Sequence, residues 1–166
     1  MKNIKKIIKE ALNEIFDNPE VPKDINLISG ENYVVYTFKT EKSEYSVSFK
    51  KVNNFLPIGL TKDEKINNII TNSNSVYYLS WGLFDSSNAQ NPIDDVETAA
   101  GEEIYVFNAI FGIILEFIKQ NNPDIVFYKA IQARKRIYDK MFGKINLNYI
   151  LSQGTMNTFL IKKDLL

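Results

Sequence analysis

One unit of this chain restricts its fold more than any other: a helix that is apolar nearly all the way round, set between two short apolar runs. Glu102 to Gln120 carries Ile104, Val106, Phe107, Ile110, Phe111, Ile113, Ile114, Phe117 and Ile118, interrupted only by polar residues such as Asn108 and Glu116. A helix without a polar face has to be buried on most sides. Ser75 to Phe84 precedes it with Tyr77, Leu79, Trp81 and Leu83 at alternate positions, and Ile125 to Tyr128 follows it as a short continuous apolar run. Two strands joined through such a helix are expected to lie parallel, connected by a right-handed crossover. Asn121-Asn122-Pro123 ends the helix.

The remainder of the sequence supplies partners for that unit. Val34, Tyr36 and Phe38 alternate with polar neighbours, and so do Tyr45, Val47 and Phe49, with Thr40-Glu41-Lys42-Ser43 between the two runs. This predicts an antiparallel hairpin with one core face, and a serine and lysine face turned to water. Thr61-Lys62-Asp63-Glu64 fits a capping box in which Thr61 caps a short helix to about Ile70. Ala130 to Phe142 reads as a further helix, and Leu147 to Leu151 with Thr158 to Ile161 as two closing strands around Gly154.

Ile4, Ile7, Ile8, Ala11, Leu12, Ile15 and Phe16 repeat at helical spacing, with lysines opposite, until Asp17-Asn18-Pro19. The expectation is one mixed α/β or α+β domain over residues 1–166. Its N-terminal helix, within residues 1–18, packs on its own core, sits at the periphery or swaps to a neighbour.

Composition narrows the chemistry. The chain has 11 Phe and 9 Tyr, and Lys plus Arg equals Asp plus Glu at 20 each. No net field draws it to nucleic acid or anionic lipid, so neither is an expected partner. It contains neither histidine nor cysteine. Histidine bases, Cys-His and Ser-His arrangements, thiolate metal sites and disulfides are therefore excluded. The N-terminus reads as no signal peptide, and the apolar stretch Ile104 to Ile118 is shorter than the roughly 20 residues that span a bilayer. The expected location is a cytoplasm.

The only arginines, Arg134 and Arg136, stand in Ala133-Arg134-Lys135-Arg136-Ile137-Tyr138, just after Ile125 to Tyr128. Planar fork-shaped donors at a strand-to-helix turn suit a carboxylate or phosphate. Arg134 and Tyr138 share a helix face while Arg136 points elsewhere. Lys129, Gln132, Arg134 and Arg136 are thus the candidates for an anion or a partner's carboxylate, against the simpler reading of ion pairs with Asp139 or the acidic loop. That loop, Asp85 to Gly101, carries Asp85, Asp94, Asp95 and Glu97 but lacks the ligand spacing of an EF-hand, so no metal is expected. Trp81 reads as core.

The order from Ser75 onward, strand, long helix, strand, helix and two strands, resembles the GCN5-related N-acetyltransferase fold, with Ile137-Tyr138 matching a Leu-Tyr pair on the later helix. The resemblance implies coenzyme A, held by a glycine-rich turn at the start of the long helix, and a proton-donating tyrosine at Tyr138. Here that turn is Thr98-Ala99-Ala100-Gly101-Glu102-Glu103, a lone glycine followed by two carboxylates, and Ile131, Arg134 and Phe142-Gly143 depart from the later helix's pattern. Trp81-Gly82, Val106-Phe107, Asn122-Pro123-Asp124 and Ala133 to Tyr138 resemble small uncharacterised proteins of bacteriophages and Bacteroidetes-type bacteria. The resulting expectation is a non-enzymatic phage virion, head-to-tail or assembly protein. It would bind no cofactor, and would contact other phage proteins or copies of itself. Two readings stand beside it: an acyl-coenzyme A-dependent N-acetyltransferase with Tyr138 as acid and Glu102 or Glu103 as base, and a small-anion or nucleotide module at Arg134.

Overall fold

The computed structural model describes residues 18–53, 61–84, 102–129, 139–143, 148–154 and 156–166. Over these the fold is α+β. Seven strands form one mixed sheet in the order β1-β2-β3-β4-β5-β7-β6, where β1 is Asn26–Ser29, β2 Tyr33–Lys39, β3 Glu44–Lys51, β4 Val76–Leu83, β5 Ile125–Tyr128, β6 Tyr149–Gln153 and β7 Thr158–Lys162. Helix α1 (Glu64–Asn72) precedes β4, and α2 (Glu103–Asn121) joins β4 to β5. Residues 139–143 are helical, and a 3-10 turn follows β7 at Lys163–Leu165.

The strand-helix-strand unit stands as the sequence predicts. β4 and β5 pair in parallel, Val76 opposite Ile125 through Tyr78 opposite Phe127, and every other pairing is antiparallel. All four residues of β5 are buried, as a central strand covered on both faces requires. Asn122 ends α2 in the left-handed conformation, φ 43°, with its N–H donating to the carbonyl of Ile118.

Period-two patterning sorts the core between the sheet's faces. Tyr36, Phe38, Tyr45, Val47, Phe49, Leu79, Trp81, Val126, Tyr128 and Leu160 face α2, whose Val106, Ile110, Ile113, Ile114 and Phe117 fill the space. Phe49 and Phe117 stack with centroids 3.6 Å apart, and Phe38 stacks on Tyr45. On the opposite face Val76, Ile125, Phe127, Phe159 and Ile161 pack with Ile66, Ile69 and Ile70 of α1. At about 25 cal/mol per Å² of apolar surface removed from water, these two clusters are the main source of stability.

Four expectations are corrected. β1 is an additional strand that extends the predicted hairpin by antiparallel pairing with β2. On the serine and lysine face of that hairpin Lys39 and Lys50 are exposed as expected, but Thr37, Ser46 and Ser48 are buried, as is Ser80 beside them on β4, with Ser46 at 0% and Ser80 at 3% exposure, and the hydroxyls of Ser46 and Ser80 have no hydrogen-bond partner. Each such orphan costs about 1–3 kcal/mol. Alternation of polar and apolar residues does not reveal which face is covered. Helix α1 is capped by Asp63, whose Oδ1 accepts from the N–H groups of Lys65 and Ile66, while Thr61 bonds the Asn67 side chain. Lastly, α2 is not buried throughout, because Ile104 and Tyr105 in its first turn are exposed.

Candidate functional site

The end of the sheet where β4 and β5 stop sharing hydrogen bonds is the natural place for a site. Their pairing ends at Tyr78 and Phe127, yet β4 continues to Leu83. Crevices beyond the carboxyl ends of parallel strands are where open sheets bind ligands. Here the same end brings together the start of α2 and the β2–β3 turn.

At the start of α2, Glu102 occupies the capping position without capping. Its backbone is helical, φ −106° and ψ −4°, and its side chain makes no bond to its own helix. The carboxylate Oε2 instead accepts from the Thr40 hydroxyl at 2.7 Å. Thr40 opens the β2–β3 turn, where its Oγ1 accepts from the N–H of Ser43 at 3.0 Å and of Lys42 at 3.2 Å. Its single proton is better placed on Glu102 than on the Ser43 carbonyl at 3.1 Å. A hydroxyl-to-carboxylate bond is charge-assisted and stronger than a neutral one. The helix start is thus tied to the hairpin through an anion the chain itself supplies.

Among the described residues, buried side chains cluster beyond the paired part of β4 and β5. Tyr128 and Phe142 stack with centroids 4.9 Å apart, in one buried cluster with Trp81, Val106 and Met141. Trp81 is core, as the sequence suggests. Burial first, then the charge of Asp139, pushes the Tyr128 phenol far above its ordinary range, with Thr158 opposing. Asp139 has one buried carboxylate oxygen without a hydrogen-bond partner. Tyr36 is also raised, by burial and then by Glu116, and Tyr149 is pushed up to about 12 by burial and the charges of Asp124 and Asp164. Phenols held protonated in this way serve as packing and hydrogen-bond donors at neutral pH, not as bases.

Of the residues singled out in the sequence, Lys129 is exposed directly after β5. Gln132, Arg134, Arg136 and Tyr138 lie outside the described residues, as do the loop Asp85 to Gly101, the apolar loop around Phe55 and the N-terminal helix. Among the described residues no group of three or more acidic side chains is placed to hold a metal ion, and no helix is long and apolar enough to cross a membrane. Thr40 is the participant that sequence reasoning missed. Its turn was legible, but its bond reaches 62 residues along the chain.

A cleft of about 650 Å³ opens beside the first turn of α2, lined in part by Glu20, Lys23, Asp24, Lys39 and Tyr105. Its charges are of both signs. The strap at Glu20 and Val21 crosses α2 here, with the Glu20 N–H donating to the Asn108 carbonyl at 3.3 Å. Gly112 permits this crossing, since a Cβ at that position would stand 2.5 Å from the Glu20 carbonyl carbon. Comparison with protein-family models, curated proteins and solved structures finds no match to this chain.

Proposed function

We propose that this chain is a non-enzymatic, phage-encoded virion or assembly protein, in which an acetyltransferase-like scaffold serves contacts with other proteins. The observation that carries the reading is the Glu102 carboxylate, held 2.7 Å from Thr40 at the start of α2. In the family whose element order this chain resembles, that helix start receives the diphosphate of coenzyme A. A second anion within about 4 Å of the carboxylate meets a repulsion of about 1–4 kcal/mol, between water-like and surface dielectric. The burial of Trp81, Tyr128 and Phe142 in one cluster further supports a scaffold role.

The absence of histidine and cysteine from the sequence agrees with this reading, because it removes the commonest base and the commonest nucleophile-base pairs. The phage assignment is supported by the sequence pieces from Trp81-Gly82 to Tyr138. The abundance of lysine, asparagine and isoleucine also suits a low-GC genome.

Thermal denaturation with millimolar acetyl-coenzyme A tests the non-enzymatic part. A ligand at one hundred times its dissociation constant stabilises by about 2.7 kcal/mol, so an unchanged midpoint is expected and a clear upward shift retires the reading. Sedimentation with the virion proteins encoded beside it tests the rest. A stable complex is expected, and a chain that joins none of them contradicts an assembly role.

A further inference from the structure

The first edge of the sheet is open in a way that favours one occupant. The Gly30 N–H donates to the Tyr33 carbonyl at 2.9 Å, so residues 30 and 33 form a hydrogen-bonded pair across a two-residue turn. Bonded and non-bonded pairs alternate along an antiparallel ladder. Ile28 opposite Val35 and Asn26 opposite Thr37 are then the bonded pairs. Leu27 and Ser29 therefore turn their N–H and C=O groups away from β2. All four residues of β1 are exposed, Leu27 at 59% and Ile28 at 38%. Natural edge strands are usually blunted by shortness, lysine, proline or a bulge, and of these β1 has only its four-residue length. Asn26-Leu27-Ile28-Ser29 has no lysine or proline, and its register with β2 is unbroken.

We infer that β1 pairs antiparallel with β1 of a second copy of this chain, about a two-fold axis at Ile28, joining two seven-stranded sheets into one. The inference stands apart from whether the chain is an enzyme. Outward backbone donors and acceptors are matched in line only by another strand, and this strand matches itself. With Ile28 at the axis, Leu27 of one copy faces Ser29 of the other, and these residues exchange both of their free hydrogen bonds. Ile28 faces Ile28 as a close non-bonded pair, covering apolar surface that is otherwise wet.

The flanks agree. Lys23 precedes the strand and Glu31 follows it, so antiparallel pairing sets the Lys23 end of each strand beside the Glu31 end of the other. A net charge of zero adds no long-range repulsion between copies.

Because the chain contains no cysteine, single cysteines read the register directly. A non-bonded antiparallel pair has Cα atoms about 4.5 Å apart, within the range a disulfide bridges. Under mild oxidation of the full chain, Ile28→Cys should give a covalent dimer. Leu27→Cys alone and Ser29→Cys alone should not, while the two together should. Sedimentation of the unmodified chain should show a dimer, and Ile28→Lys should weaken it by about a hundredfold, since the two-fold sets like charges face to face. An unchanged far-ultraviolet circular dichroism spectrum separates this from misfolding, and Leu27→Lys is the second variant if Ile28→Lys does not fold. A monomer at millimolar concentration overturns the inference. So does a dimer in which Ile28→Cys stays uncrosslinked, or equal crosslinking of all three single variants.

Discussion

The two edges of this sheet are built in opposite ways. β6 is tied down from several directions. The Tyr149 hydroxyl donates to the Pro123 carbonyl, Leu151 packs on the cluster facing α2, and Ile150 packs on the cluster under α1. Past its end Gly154 bridges to Thr61, and before its start the Asn148 carbonyl accepts from the Lys163 N–H at 2.7 Å. β1 is held by its ladder with β2, and all four of its side chains are exposed. Side chains and neighbouring segments close one edge strand onto the sheet, while the side chains of the other stand in water.

That contrast can be broken at its strongest point first. The strap at Glu20 and Val21 leads the chain toward β1 by crossing α2 at Gly112, so Gly112→Ala should destabilise by about 1–3 kcal/mol, as overpacking does. On helix propensity alone the change would stabilise by up to about 1 kcal/mol. Urea denaturation decides the sign. At the closed edge, Tyr149→Phe should cost about 1 kcal/mol for the lost hydrogen bond, read from the same curves. The folded phenol has its pKa raised to about 12 from 10, so its protonated form contributes stability that is fully present below about pH 10 and lost as pH rises toward 12. The variant should therefore lose stability less steeply over that window, and parallel curves would count against the assigned cause.

Between the edges, Thr40→Ala removes the tie from the hairpin to the start of α2 and should cost on the order of 1 kcal/mol by thermal denaturation, discounted for partial exposure. The smallest effect belongs to β1. Leu27→Thr should change monomer stability by less than about 0.5 kcal/mol, because the side chain is already mostly in water. A loss as large as that of Tyr149→Phe would mean the open edge is not open.

How far the sequence shows these features depends on how local each one is. The unit β4-α2-β5 is legible to within one or two residues, since its apolar runs are long and its stop signal, Asn121-Asn122-Pro123, is unambiguous. β1 escapes because it has four residues, none of them buried, and so imposes no pattern. The dryness of Ser46 and Ser80 escapes because alternation reports which side is polar, not which side is covered. For α1, threonine and aspartate are both good caps, and the choice of Asp63 is decided by Asn67 occupying Thr61. At the candidate site, the carboxylates at the start of α2 are plain in the sequence, while the Thr40 partner that fixes Glu102 is a tertiary fact.

Residue-resolved amide hydrogen exchange, recorded as protein concentration is raised and again with millimolar acetyl-coenzyme A, tests most directly whether this scaffold works through an open strand and not through a bound cofactor. The account predicts that the Leu27 and Ser29 amides slow as concentration rises, and that the amides of Ile104 and Tyr105 do not respond to the cofactor. Protection of Ile104 and Tyr105 by acetyl-coenzyme A, with Leu27 and Ser29 unchanged at every concentration, would contradict it.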